Sequence, residues 1–459
     1  MFIDHKYIED LLIKAETATK DDVQKVLEKA KKRKGLSPEE VAVLLQIKDE
    51  DQTKEMFHIA GEIKQSIYGN RVVVFAPLYV SNYCVNNCTY CGYKRDNKFP
   101  RRKLTRDEIQ QEVKLLEKMG HKRIAFEAGE DPVNCDMDYI LDAIDAIYST
   151  ENKKGAIRRI NVNIAATTVE NYKRLKDAQI GTYILFQETY YKPIYEEIHP
   201  KSLKGDYEYH LTAFDRAMEA GIDDVGGGVL FGLAEAKFEV MALMLHNIHL
   251  EKKFGVGFHT ISVPRLKAAE GVDFEKFPHI IDDDMFKKIV TIIRLAVPYV
   301  GIILSTRETA DMRRELLKHG VSQISAGSCT GVGGYKEQEL LGKKVDQFSI
   351  EDHRSPLEIL KELIDEGHVP SYCTACYRKG RTGDRFMSLA KSGQIQNVCH
   401  PNALMTLMEF VLDYGDEELY NKGEKFIVEE IKKIERDDIR SLVENNLKKL
   451  KNGERDLYI

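Results

Sequence analysis

The chain of 459 residues contains no stretch approaching the roughly 20 consecutive apolar residues of a membrane-spanning helix, and it has no low-complexity tract. Its start, Met1-Phe-Ile-Asp-His-Lys-Tyr-Ile-Glu-Asp-Leu-Leu, carries acids where a secretory leader has a basic head followed by an apolar run. A strong charge of either sign is missing too. The 68 Lys and Arg against 74 Asp and Glu leave a net charge of −6, which argues against a nucleic-acid-binding surface. With 31 Gly and 12 Pro the chain is neither fibrous nor disordered. These absences lead us to expect a cytoplasmic, globular protein without nucleic-acid or membrane partners. At 43% hydrophobic residues a sizeable core is assured, and length alone suggests about three domains. Cysteine is scarce, with eight in the chain, but six of the eight are clustered: Cys84, Cys88 and Cys91 in one group, Cys373, Cys376 and Cys399 in another. In a cytoplasmic chain, clustered cysteines point to metal ligands or redox groups rather than cross-links. Cys135 reads as a small buried hydrophobe, and Cys329 as a residue that packs or lines a mouth.

Residues 1–70 show helical periodicity with dense charge, and Ser37-Pro-Glu-Glu has the cap, Pro and early acids of a helix start. From residue 71 the pattern changes. Apolar runs that fit buried strands occur near 71–77, 122–127, 157–165, 182–187, 223–231, 259–264, 299–305 and 321–326, each followed by a loop and a helical pattern. The first of these helices is delimited by a capping box, Thr105 with Glu108, and by Gly120. Eight strand-helix units predict an α/β fold, a (βα)8 TIM barrel over 71–350, in preference to an open sheet. The amino-terminal helical extension covers 1–70, and a carboxy-terminal helical domain carrying the second cysteine group covers 351–459. The last segment, rich in Lys and Glu, is expected to be a solvated helical face. In a barrel, catalytic groups belong at the carboxyl ends of the strands. Unusual residues fall at such places: Cys84 to Cys91 after strand one, Glu127-Ala-Gly-Glu130-Asp after strand two, Gln187-Glu188-Thr189 after strand four, Gly226 to Gly228 on strand five, His259 to Arg265 on strand six, Ser305-Thr-Arg307 on strand seven, and Ser325-Ala-Gly-Ser328 on strand eight.

Three thiols in Cys84-Val-Asn-Asn-Cys88-Thr-Tyr-Cys91 converge on one soft metal centre, for which an iron-sulfur cluster or zinc is the natural occupant. A structural zinc site wants a fourth protein ligand, and none is near. The competing reading is three buried thiols without metal. In the second group, Cys373-Thr-Ala-Cys376 is followed after 22 residues by Cys399-His400. Zinc with His400 as fourth ligand is the alternative there, although adjacent residues seldom converge on one tetrahedral ion. A second iron-sulfur cluster with an accessible iron is the preferred reading. The basic run Arg378 to Arg385 either neutralises an anionic cluster or is a solvated loop.

The spacing Cys84-x3-Cys88-x2-Cys91, with Tyr90 before the last cysteine and a barrel around it, resembles the radical S-adenosylmethionine (SAM) superfamily. The resemblance implies a 4Fe-4S cluster held by the three cysteines and SAM chelated at its open iron. By position it also implies that Glu130 holds the methionine ammonium, that the Gly228 to Gly232 strand lets the adenine approach, and that Tyr90 is an adenine neighbour. Glu188 and Arg265 are grouped with these cofactor residues. The glycines serve close packing equally well, and they do not form a dinucleotide-binding fingerprint.

Over nearly the whole chain the combination resembles the tyrosine lyases of FeFe-hydrogenase maturation, through Asn82 to Cys88, Gly129-Glu-Asp-Pro132, Phe186-Gln-Glu-Thr189, His259 to Arg265 and Ser325 to Gly334. That implies cleavage of L-tyrosine to p-cresol and dehydroglycine at the first cluster. Conversion of the fragment to carbon monoxide and cyanide would follow at a second 4Fe-4S cluster carrying a labile fifth iron, with His259 as a ligand of that iron. Implied partners are free cysteine or a related amino acid on the labile iron, an electron donor such as ferredoxin or flavodoxin, and other maturation factors. Arg307 is the candidate for the tyrosine carboxylate, because a guanidinium grips a carboxylate bidentately; its rival role is an ion pair with Glu308 or Asp311. Ser325, Ser328 and Gln187 are further candidates for the substrate shell. The rivals are a 2-iminoacetate synthase, which needs no second cluster, and a non-catalytic iron-sulfur scaffold.

Overall fold

Four helices, His5–Ala15, Lys20–Ala30, Pro38–Leu44 and Glu50–Tyr68, open the chain, and each has a side-chain cap: Asp4, Thr19, Ser37 and Asp49 accept from the backbone of the first turn. Thr19 and Ser37 complete capping boxes with Asp22 and Glu40. Met56, Ile59, Ile63 and Ile67 give the fourth helix a buried stripe, which packs on the barrel helix Asp283–Ala296. The computed structural model describes residues 2–459 except 153, 268, 270 and 343–346.

The eight apolar runs each contain a strand: β1 (Arg71–Ser81), β2 (Arg123–Ala128), β3 (Arg159–Asn163), β4 (Tyr183–Ile184), β5 (Val225–Gly228), β6 (Thr260–Ser262), β7 (Gly301–Leu304) and β8 (Gln323–Ser325). All neighbouring pairs are parallel, in chain order. Val73, Val74 and Phe75 of β1 pair with Gln323, Ile324 and Ser325 of β8, so the sheet closes into a barrel. Most strand residues are buried, as in parallel strands covered by helices; Phe75 and Tyr79 in β1 and Glu127 and Ala128 at the end of β2 are half-buried. The Thr105–Glu108 capping box starts the first barrel helix, Arg106–Lys118.

Besides a short antiparallel hairpin, Glu151–Asn152 with Gly155–Ala156, one further strand was not expected. Within 351–459, β9 (Val369–Ser371) lies parallel to Arg71–Val73, below the point where β1 enters the barrel. Three residues around a proline carry no readable period, and Pro370 is tolerated at this edge position. The strand matters for function because it delivers Cys373 to the amino-terminal mouth. Around it pack Pro356–Asp365, Gly383–Lys391, Gln396–Tyr414, Glu417–Ile431 and Asp437–Lys451. The last helix is solvated on one face only; Val443, Leu447 and Leu450 are buried, and it packs on Gln396–Tyr414. Among the described residues, no helix is long and apolar enough to cross a membrane.

Candidate functional site

Because every barrel strand is parallel, all carboxyl ends open on one mouth and all amino ends on the other. The first thiol group stands at the carboxyl mouth, in the loop after β1, around a cavity of about 240 Å³. Gly129 lets the loop pass: a Cβ there would lie 2.3 Å from the Tyr83 carbonyl oxygen and 3.2 Å from the Cys84 Cβ. Val85 N donates to the Glu130 carbonyl at 2.8 Å, and Arg101 donates to the carbonyls of Asn82, Tyr93 and Lys94 at 2.7, 2.8 and 2.6 Å. The loop is thus held from both sides. Burial raises all three thiols, Cys91 to about 11, so they are neutral until a metal supplies positive charge.

Glu130 accepts from Asn86 Nδ2 at 2.5 Å, and burial raises its carboxyl. Asn86 in turn accepts from Lys204 N at 3.1 Å, and Lys204 Nζ pairs with Glu188 at 2.5 Å. Burial opposes the Lys204 ammonium, but the Glu188 carboxylate raises its pKa above the ordinary lysine value. Tyr90 is fixed by the hydrogen bond between its hydroxyl and His199 Nε2, 2.8 Å apart. His199 Nδ1 lies 2.7 Å from the Tyr195 carbonyl, which can only accept; Nε2 is therefore the acceptor and Tyr90 the donor. Burial and Lys204 lower His199 to about 3 and keep it neutral.

Arg307 opens on the same cavity. Its proposed competitors are engaged elsewhere: Glu308 pairs with Arg265 and Asp311 with Arg314. Arg307 Nε has no hydrogen-bond partner among the described residues, and the guanidinium stands 5.5 Å from the centroid of the Phe348 ring. A desolvated cation with no counter-ion among the described residues, facing a cavity, is a site for an anion.

The cavity therefore unites Cys84, Cys88, Cys91, Tyr90, Glu130, Glu188 and Arg307. Other candidates stay outside its lining. Arg265 is occupied by Glu308 at 2.6 Å and Asp283 at 2.7 Å. Ser325 Oγ accepts from Thr306 N at 3.0 Å, while Ser328 Oγ and Gln187 Nε2 are buried with no hydrogen-bond partner among the described residues. At Gly228 the space for a side chain is filled by Phe186, 2.6 Å from where a Cβ would be, and Gly232 has a φ of +115° that favours glycine. Sequence reasoning missed Lys204 and Asn163, and it placed Glu127 after strand two without giving it a role. Glu127 and Asn163 are register partners at the ends of β2 and β3, and Asn163 Nδ2 donates to Glu127 at 2.8 Å. Burial raises Glu127 to about 8. Polar residues closing two adjacent apolar strands were the available signal.

The second thiol group lies at the opposite mouth. Cys373 follows β9, Cys376 sits on the short helix Ala375–Arg378, and Cys399 on the first turn of Gln396–Tyr414. They border a small cavity with His259, Arg71 and Arg123. The run from His259 to Arg265 spans a whole strand, so its two ends face opposite mouths; His259, just before β6, belongs to the amino mouth rather than to the carboxyl ends. Burial lowers the His259 pKa against the pull of Asp224, leaving a neutral imidazole fit to ligate a metal. Its Nε2 is 3.0 Å from the Tyr377 hydroxyl and its Nδ1 3.3 Å from the Asp224 carboxylate. Burial raises the Cys373 thiol, and the buried Arg71, whose Nε has no hydrogen-bond partner among the described residues, and Arg123 offset part of that rise. The basic run contributes less: Arg378 pairs with Asp456 at 2.7 Å. His400 turns to Glu430, 3.6 Å away, and does not border the cavity.

No disulfide joins any of the eight cysteines, and among the described residues no three His, Cys, Asp or Glu are placed for a single metal ion. Three thiols per site, backed by cations at each, fit an iron-sulfur cluster, which is anionic when bound by thiolates.

Residues 78–245 match the radical SAM superfamily and residues 262–369 the biotin and thiamin synthesis associated domain. The 2-iminoacetate synthase of Salmonella typhimurium is 28% identical over 363 residues, 79% of this chain and 92% of that protein. The crystal structure of HydG, a maturase of the FeFe-hydrogenase, is 60% identical, covers 100% of both chains and superposes with a TM-score of 0.97. HydG from Carboxydothermus hydrogenoformans is 39% identical, with 96% of this chain and 97% of that chain covered and a TM-score of 0.82. On sequence and structure together, the chain belongs to the family of the HydG maturases of FeFe-hydrogenase.

Proposed function

We propose that this protein acts in FeFe-hydrogenase maturation by cleaving L-tyrosine at the carboxyl mouth of its barrel and converting the two-carbon fragment at the amino mouth. The observation that carries this reading is the pair of thiol triads at opposite ends of one barrel, one beside an arginine with no ion-pair partner among the described residues and the other beside a neutral histidine. Cys84, Cys88 and Cys91 would hold the first cluster, and Cys373, Cys376 and Cys399 the second. When bound, the first cluster supplies the electron that cleaves SAM and so the hydrogen-abstracting radical.

Glu130 receives the methionine ammonium, and Tyr90 and Glu188 border the rest of the cosubstrate. Arg307 grips the tyrosine carboxylate, fixing the amino acid beside the cosubstrate. After hydrogen abstraction, scission of Cα–Cβ leaves dehydroglycine and a hydroxybenzyl fragment, which needs one proton and one electron to depart as p-cresol. Glu127, raised to about 8, carries a proton at neutral pH within the same cavity; the electron comes from the external donor. Dehydroglycine, C2H3NO2, divides without net redox change into carbon monoxide, hydrogen cyanide and water. Arg71 and Arg123 supply positive charge for its carboxylate at the amino mouth, and His259 holds the labile iron, the cargo that leaves with free cysteine and the diatomic ligands.

The test is anaerobic incubation of the reconstituted, reduced protein with SAM and tyrosine, followed by assay of p-cresol, cyanide and carbon monoxide. All three are expected. Absence of p-cresol would refute the lyase reading, and p-cresol without carbon monoxide would favour a 2-iminoacetate synthase.

A further inference from the structure

The turn that carries Glu188 is unusual. Glu188 has a φ of +67°, the left-handed region that a side chain with a Cβ rarely adopts. The chain leaves β4 paired to β5, with Gln187 N donating to the Gly228 carbonyl at 2.9 Å and Leu230 N to the Glu188 carbonyl at 2.9 Å. It then reverses, Thr189 N donating to the Gln187 carbonyl at 2.9 Å. The reversal throws Glu188 forward into the cavity and leaves the donors of Thr189, Tyr190 and Tyr191 pointing backward.

Those donors meet a carboxylate. Glu239, on the helix Ala236–Phe254, is buried, accepts from Tyr190 N at 2.9 Å and from the Thr189 hydroxyl, and is also a backbone acceptor for Tyr191. Tyr191 N further donates to Thr189 Oγ1 at 3.1 Å, so the hydroxyl bridges turn and carboxylate. No cation lies within ion-pair distance of Glu239 among the described residues. Successive backbone donors of a left-handed turn form an anion-binding concavity, and here the chain fills it with its own side chain. Tyr190 is locked from behind as well: its hydroxyl lies 2.9 Å from His246 Nδ1, and its carbonyl accepts from the Tyr207 hydroxyl at 2.8 Å. Burying a carboxylate without a counter-ion is costly unless the donors it satisfies must be held in one arrangement. In front of the turn, that arrangement aims Glu188 at Lys204, whose backbone reaches Asn86 and through it Glu130.

We infer that Glu239 is a positioning residue for the cosubstrate: by clamping the donors of residues 189–191 it holds Glu188 in its left-handed conformation and presents that carboxylate to SAM. The inference rests on the proposed role of Glu188 in the SAM pocket, and the experiment separates the two.

The reconstituted holoenzyme and its variants Glu188→Gln, Glu239→Gln and the double variant are compared for equilibrium binding of SAM by dialysis, where the affinity is expected to follow the KM, and for apparent KM for SAM and kcat, with p-cresol as product. Glu239→Gln keeps the volume but replaces one acceptor oxygen with a donor facing other donors. Its KM for SAM is expected to rise about tenfold with kcat changed little, the size of losing one well-oriented polar contact. Because Glu239 acts through Glu188, the double variant matches Glu188→Gln alone, a non-additivity that a general loss of stability does not produce. Thr189→Val, which deletes the bridging hydroxyl without touching the helix, moves KM in the same direction and keeps the test open if Glu239→Gln folds poorly. A normal KM in Glu188→Gln refutes the assignment of Glu188 and removes the ground of the inference. A raised KM in Glu188→Gln with additive losses, or with no loss in Glu239→Gln and Thr189→Val, overturns the inference alone.

Discussion

Arg307 gives the sharpest test of how the first cavity binds its substrate, because binding and stability are predicted to respond in opposite senses. Its guanidinium faces the cavity, its Nε has no partner among the described residues, and Glu308 and Asp311 are both paired to other arginines. Burial lowers its pKa, which records that the cation is desolvated without full compensation. Arg307→Lys keeps the charge but gives up the two-pronged grip on a carboxylate. One charge-assisted hydrogen bond is worth about 1.5–3 kcal/mol, so KM for tyrosine is expected to rise roughly tenfold to a hundredfold. Arg307→Met removes the cation, and the metal-free protein is expected to melt at the same temperature or higher, since an unpaired buried charge has been replaced by an apolar chain of similar length. The assays are p-cresol formation against tyrosine concentration and thermal unfolding of the metal-free protein. An unchanged KM in Arg307→Lys together with a lowered melting temperature in Arg307→Met would show that the arginine is a structural residue and refute the assignment.

Gly129→Ala is expected to displace the first thiol loop, since the new methyl would collide with the Tyr83 carbonyl; iron content should fall to that of the second site, and a fully loaded variant would contradict this. His259→Ala should abolish retention of the labile iron while p-cresol formation continues, and retention at the normal level would remove His259 from the ligand set. Stability of the metal-free protein should peak between two pH windows. Glu117, Glu127 and Glu239, raised by burial to about 7, 8 and 7, contribute stability that is lost as pH rises through those values. His121, His246 and His368, lowered by burial to about 4, 3 and 4, contribute stability that is lost as pH falls below the ordinary histidine range. A thermal midpoint that climbs steadily to pH 9 would contradict the burial of these carboxyls.

The barrel was legible because most of its strands lie in short, largely buried apolar runs, bounded by capped helices such as Arg106–Lys118. The mouth to which each residue belongs was less so. His259 and Arg265 are six residues apart in one motif, yet one stands at each end of β6, and only the register of the closed sheet assigns them. The strand Val369–Ser371 was hidden because a three-residue strand with proline has no period, and with it went the placement of Cys373. Arg307 was readable from its position after an apolar strand, but its freedom depended on where Glu308 and Asp311 turned. Lys204 and Glu239 act through contacts with residues distant in the sequence or across a helix, which no local pattern announces.

The central claim is that two reactions are divided between the two mouths of one barrel. The most direct measurement is the product ratio of the Cys373→Ser, Cys376→Ser double variant, reconstituted and reduced, supplied with SAM and tyrosine. Removing two ligands at the amino mouth leaves the carboxyl mouth intact, so p-cresol should form at close to the normal rate while carbon monoxide is lost. Carbon monoxide at normal yield would show that the second thiol group is not where the fragment is converted, and loss of p-cresol as well would show that the two mouths do not work separately.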